Sequence, residues 1–368
     1  ILGEIHSLKA GRLVIDSFTA MAQAFKERVD ARIVLHTILG KMVRQAGCTT
    51  LLIAEVPIGE ERVGISIEEF VADAVLILKR GMFDGRLIRE VELAKLRGTR
   101  IAQPLSLFTL DKGFRVFTPF ELKISQGKRF QPLPNPDAYF STGSQDLDRV
   151  LGGGYPKGSL VYIEAGATVS TPQYHLILLP TMVNFELQGR GVISIPAFTP
   201  QTMKQAMAPG ENYGVGRGDL EKFHRFFVPA QPGGAQNEML IALEGNIQTD
   251  LERILKTTDE LWQKTRQPLA YSLAFDIVDI IYKERAVELL DFFLGRTKLL
   301  DGLLVALSRP GTHPTLKQKL ADISDIHLKI VRERGTLLLY GIKPRTGIHA
   351  VEMDVSKGYP LPKLTPIT

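Results

Sequence analysis

The sequence has little of what staples or anchors a chain. One cysteine, Cys48, in 368 residues excludes an intrachain disulfide and fits a reducing compartment, so a cytoplasmic location is expected. No apolar run reaches the roughly 18 residues that cross a bilayer. The most apolar stretch, Leu176 to Val183, follows Pro172 and contains Pro180, so no membrane partner is expected. The seven histidines are scattered and Cys48 has no metal-ligand neighbour in sequence, which implies no zinc site. Ser17 and Ser308 each follow a strand-like run, but no G-x-S-x-G elbow surrounds either to make it a nucleophile. The first residue is Ile1 rather than Met, and further residues are expected upstream of it.

What is present is an ordinary globular composition, 44% hydrophobic and 23% charged, in a chain long enough for two cores. The formal charge of +5 is mildly basic; it permits a polyanionic partner without requiring one.

Along the chain, Gly11 to Ser17 (GRLVIDS) reads as a buried parallel strand. An amphipathic segment from Thr19 to Ala46 follows, with apolar residues at Phe25, Val29, Ile33, Ile38 and Val43, and then a strand, Thr49 to Glu55. A short helix is expected over Glu68 to Ala72, with strands over Ala74 to Leu78, Leu87 to Lys95 and Gly113 to Phe117. Such alternation argues for a three-layer α/β domain whose parallel sheet turns antiparallel at its far edge. The prolines of Gln131 to Phe140 (QPLPNPDAYF) force extended backbone, giving a first domain over 1–120, a linker over 121–140 and a second domain over 141–368. The second opens with a capped helix from Ser144 to Leu151, a glycine turn at Gly152 to Gly154 and a strand from Ser159 to Ala165.

The two halves repeat. LLIAE near Leu51 returns as LLVALS near Leu303, EEFVADAVLIL as KLADISDIHLKI, VELAKLRGT as LLYGIKPRTG, and RLVIDS as YSLAFDIV. The order is preserved at a period of about 250 residues. The second copy spends about 135 residues between Ser141 and Asp276, so about 120 residues of the first copy are expected upstream of Ile1.

Asp16 ends an apolar strand, where α/β sheets bind ligands, and Glu55 ends the neighbouring one. An acid at such a tip holds a metal through water, yet Asp16 is equally suited to capping the helix from Thr19, and Glu55 to a solvated loop. Lys95 and Arg97, two apart, are expected on one face of a strand, a pairing that suits a phosphate or a solvated charged face. His313 and His327 read as loop or surface residues. Phe223 to Phe227 (FHRFF) reads as a core strand rather than a base-stacking platform.

In order, LVIDSFTA, LLIAE, EEFVADAVLIL, AKLRGT and STGSQDLDRVLGGGYPKGSLVYIEAG resemble the KaiC-like branch of the RecA/RadA superfamily. The resemblance implies tandem RecA-like three-layer α/β domains with mainly parallel central sheets, ATP and Mg²⁺ as cofactors, and a ring homo-oligomer, often a hexamer, with ATP between subunits. It implies that Asp16, with Ser17 beside it, works with Mg²⁺ through water. Glu55 would sense the γ-phosphate, and Lys95 and Arg97 would reach the neighbouring subunit's nucleotide. In the second copy the matching cofactor-binding positions are Gly166, Thr171, Asp276, Lys343 and Arg345. That copy departs from the family where a phosphate loop is expected, reading EAGATVSTPQYH with no second glycine and no lysine. Thr171 stands at the magnesium-ligand position with Pro172 after it.

The first reading is therefore an ATPase whose first domain hydrolyses and whose second is a non-hydrolysing scaffold or regulatory module, leaving room for a protein client. Two alternatives stand beside it. One is a RadA-like DNA-binding protein, whose glycine-rich candidate loop, Ala208 to Arg217, looks more like a surface loop. The other is an interaction protein whose two nucleotide sites have both decayed.

Overall fold

The computed structural model describes residues 2–23, 33, 36–37, 45, 47–56, 71–197, 202–230 and 237–368. Phe25, Val29, Ile38, Val43 and residues 68–70 of the expected short helix lie outside them. The chain divides into two compact units, one of residues 1–80 and 90–106, the other of 81–89 and 107–368.

The first unit contains helix α1 (Leu2–Leu8), strand β1 (Arg12–Asp16), helix α2 (Phe18–Gln23) and strand β2 (Thr49–Ile53). The two strands pair in parallel, Val14 opposite Leu51 and Asp16 opposite Ile53. Leu13 packs with Ile5 and Cys48, whereas Val14 and Leu51 are exposed. Strands β3 (Ala74–Phe83), β4 (Arg86–Leu96), β5 (Leu105–Thr109) and β6 (Arg115–Val116) form a four-stranded sheet in that order. The β3–β4 hairpin turns at Asp84 and Gly85, residues of the second unit, both with positive φ.

The second unit is organised by β9 (Ser159–Ala165), whose residues are almost all buried, as a strand covered on both faces must be. Its alternate residues Val161, Ile163 and Ala165 join one core, and Leu160 and Tyr162 the other. The neighbouring parallel strands are β10 (Val192–Ile195), β11 (His224–Pro229), β12 (Leu240–Leu243), β13 (Ala270–Ala274) and β14 (Leu303–Ser308). The far edge consists of β15 (Ile326–Glu333), β16 (Thr336–Lys343), β17 (His349–Asp354) and β18 (Leu361–Pro366). The sheet order is β12-β11-β10-β13-β14-β9-β15-β16-β17-β18, parallel as far as β15 and antiparallel beyond. This is the mixed three-layer α/β architecture expected, with a mainly parallel sheet.

Before β9 come two short paired strands, β7 (Tyr139–Phe140) and β8 (Tyr155–Pro156), and helix α3 (Gln145–Leu151), capped by the Ser144 hydroxyl. Helix α4 (Thr171–Leu187) follows β9 and is buried around most of its surface, with α5 (Met203–Glu211) and α6 (Arg217–Phe223) beside it. The opposite core is covered by α7 (Ile247–Thr265), α8 (Phe275–Tyr282), α9 (Ala286–Leu299) and α10 (Pro314–Ile323).

The repeat is visible in backbone detail. As β1 pairs with β2, so β13 pairs in parallel with β14. As β3 turns into β4 at Asp84-Gly85, so β15 turns into β16 at Arg334-Gly335, again with positive φ at both positions.

Three sequence expectations need correction. His327 is not at the surface: it lies on β15, buried, its ring 4.5 Å from that of Tyr162. Ala208 to Arg217 is not a loose surface loop, because it completes α5 and buries Tyr213 and Val215 against Phe226 and Leu240. The expected strand Gly113 to Phe117 shortens to Arg115–Val116. Phe226 and Phe227 of β11 are buried, as expected of a core strand. Among the described residues no helix is long and apolar enough to cross a membrane.

Candidate nucleotide sites

In the first unit, β1 and β2 run in parallel and finish together, so Asp16 and Glu55 emerge at one edge of the sheet. Apolar residues hold the strands; the polar ones fall where the strands stop. Helix α2 begins at once after β1, with Ser17 Oγ accepting from the Ala20 amide at 3.3 Å. Thr19 Oγ1 accepts from the Glu55 amide at 2.9 Å, which fixes the end of β2 beside the start of α2. Both carboxylates are exposed, and neither has a hydrogen-bond or ion-pair partner among the described residues. Two carboxylates and a hydroxyl are hard oxygen donors, the ligand chemistry that suits Mg²⁺.

Lys95 is half-buried on β4, but Arg97 lies one residue beyond the strand, so the expected shared strand face does not form. Arg97 instead pairs with Asp73 at 3.1 Å.

The second unit arranges the matching positions differently. Asp276 is not at the end of a strand: β13 stops at Ala274, and Asp276 sits in the first turn of α8. Its side chain is 7% exposed, and Oδ2 accepts from Arg309 Nε at 2.8 Å and from Nη2. Arg309 follows β14 immediately, where the first unit has Glu55 and Val56 after β2. The tips of β1 and β2 thus carry two acids, and those of β13 and β14 an acid and a base. Sequence reading missed Arg309; its position directly after an apolar strand, across from an acid, was the available signal.

The turn between β9 and α4 is tight. Gly166 donates to Ile330 O at 2.9 Å, and its own carbonyl accepts from Val169 N at 3.1 Å, closing a four-residue turn. At the start of α4 the Ser170 amide donates to Gln173 Oε1 at 2.8 Å, so a donor that an anion would need is already satisfied. Thr171 Oγ1 lies 3.4 Å from the Tyr174 hydroxyl. Burial raises the Tyr174 pKa, and burial followed by the Arg309 charge pushes His175 down to about 4, so both are neutral near pH 7. Lys343 donates to the carbonyl of Ser324, just past α10, at 2.7 Å, a favourable place for a cation. Arg345 lies beyond β16 and donates to Gly85 O at 2.7 Å. The residues of this unit do not fit a magnesium nucleotide: the loop lacks its lysine, the turn closes on itself, and the acid is bonded to a guanidinium.

Comparison with known proteins agrees with this architecture. The KaiC ATPase family model matches residues 1–119, and that of GvpD basic region 2 matches residues 129–207. The chain is 27% identical to protein GvpD2 of Halobacterium salinarum over 96% of its own length and 73% of that protein's. To the circadian clock oscillator protein KaiC of Thermostichus vulcanus it is 32% identical, over 45% of the chain and 30% of that protein. The chain is similar to the KaiC-like branch of the RecA superfamily, through residues 1–119 and through its KaiC and GvpD relatives. It also matches protein GvpD1 of the same halobacterium, at 27% identity over 81% of the chain and 65% of that relative. The two units differ in the charge that their strand tips carry.

Proposed function

We propose that this protein is a KaiC-like ATP-binding protein in which Mg-ATP is held by the first unit, while the second is a non-hydrolysing scaffold or regulatory module. The observation that carries the reading is the contrast in charge. Asp16 and Glu55 stand exposed at adjacent parallel tips, where they attract a divalent cation, whereas Asp276 is already neutralised by Arg309. Asp16 holds Mg²⁺ through water, with Ser17 beside it. Glu55 senses the γ-phosphate, and Lys95 and Arg97 supply positive charge to a transferred phosphoryl group on a neighbouring copy in a ring. Gly166, Thr171, Lys343 and Arg345 take no part in hydrolysis in this reading.

The test is Mg-ATP binding by the full-length protein. Asp16→Asn is expected to weaken binding about tenfold or more, since a metal-linked carboxylate is lost, and Asp276→Asn to leave it unchanged. Equal effects of the two substitutions would reject the assignment of the site to the first unit.

A further inference from the structure

Arg309 reaches two other strand ends at once. Besides its two bonds to Asp276 Oδ2, its Nη2 donates to the Ala197 carbonyl at 2.9 Å. Ala197 lies just past β10, Asp276 just past β13 and Arg309 just past β14. These three strands are consecutive in the sheet. One side chain therefore ties together three neighbouring parallel tips, the place where open α/β sheets bind ligands.

Arg309 and Asp276 offset each other's charge. The titratable groups nearest the pair on α4, Tyr174 and His175, are both neutral near pH 7. Asp276 Oδ1 is buried and has no hydrogen-bond partner, so the acid still carries acceptor capacity beyond what the guanidinium uses. The Oδ2 atom that a Mg²⁺ or its bound water would meet is already taken by the guanidinium. A guanidinium needs only the carboxylate and a carbonyl, and both are supplied.

We propose that the Arg309 guanidinium occupies the divalent-cation position of the second unit and holds the tips of β10, β13 and β14 together, so that this unit keeps one conformation with or without nucleotide. The proposal rests on reading the chain as a nucleotide-binding architecture whose first unit takes the metal. It makes the second unit more than a decayed site: the cation is built into the chain and does not exchange.

Amide hydrogen exchange on the full-length protein tests it, read at residues 195–197, 274–279 and 306–311. In the wild type, protection of these segments is expected to be the same in EDTA, Mg²⁺ and Mg-ATP. Arg309→Gly is expected to lose about tenfold or more of that protection at all three tips, and added Mn²⁺ or free guanidinium ion is expected to restore it. Arg309→Lys keeps the charge and the fold but lacks the fork; it should lose protection at 195–197 while keeping it at 274–279. A gain of protection at the wild-type tips on adding Mg²⁺ would overturn the proposal. So would loss in the glycine variant that neither cation repairs, or unchanged protection at 195–197 in the lysine variant. Nucleotide binding measured in the same samples reports separately on the first unit, so a failure there leaves the Arg309 result interpretable.

Discussion

Ser194 and His224 join two neighbouring strands, β10 and β11, through a 2.8 Å contact between Oγ and Nε2. The other ring nitrogen of His224 meets Glu186 on α4, so helix and sheet are linked by three buried polar side chains. They border a small cavity of about 70 Å³ that is otherwise mostly apolar. The order acid, imidazole, hydroxyl has the form of a catalytic relay, but Ser194 sits within the sheet, paired to Ser272 on one side and Phe226 on the other. Its hydroxyl is buried and already bonded to His224, so the trio reads as a structural bridge.

Breaking that bridge from one end should therefore cost stability. Glu186→Ala leaves the His224 ring buried without one of its partners, and a loss of about 1–3 kcal/mol in urea denaturation is expected. Replacing all three residues, as Glu186→Leu with His224→Phe and Ser194→Ala, is expected to recover most of it, because no polar group of the trio is then left unpaired.

His175 predicts a pH dependence. Its pKa falls from the usual 6.5 to about 4 on folding, so between those values the unfolded chain binds the extra proton. The stability it contributes is complete above pH 6.5 and is lost as pH falls toward 4, by up to about 3 kcal/mol. His175→Phe is expected to flatten that part of the profile, measured by denaturation at each pH.

Lys95→Ala and Arg97→Ala are each expected to cut ATP turnover by about a hundredfold while leaving Mg-ATP binding nearly intact, as cations that act on the transferring group should. Full-length wild type and both variants turning over equally would remove them from the reaction.

Gly143 has φ +76°, and a Cβ there would lie 2.2 Å from the carbonyl of Pro180 inside α4. Because backbone cannot yield as a side-chain tip can, Gly143→Ala is expected to destabilise the second unit by about 3 kcal/mol or more, read as a drop in melting temperature.

Much of this was legible in the sequence. Apolar runs ending in Asp16, Ala165 and Ser308 located the parallel strands, and the Ser144 cap and the glycines after Leu151 located α3. The repeat was legible because four strand-bearing segments recur in the same order, and the two-residue hairpin turns in the structure match as well. What escaped were pairings set by the fold. Arg309 and Asp276 are 33 residues apart and meet only because β13 and β14 are neighbours. His327 looked like a surface residue because its strand alternates with polar positions, yet Tyr162 on β9 covers it. Residues 208–217 looked like a loop because of their glycines, while Tyr213 and Val215 between those glycines carry the packing.

The most direct test of the account is to locate the nucleotide on the full-length protein by photo-crosslinking with an azido-ATP in Mg²⁺ and mapping the labelled peptides. Label is expected on peptides containing Asp16, Glu55 or Arg97 and not on residues 166–176. Label concentrated on residues 166–176, with none near Asp16, would contradict it.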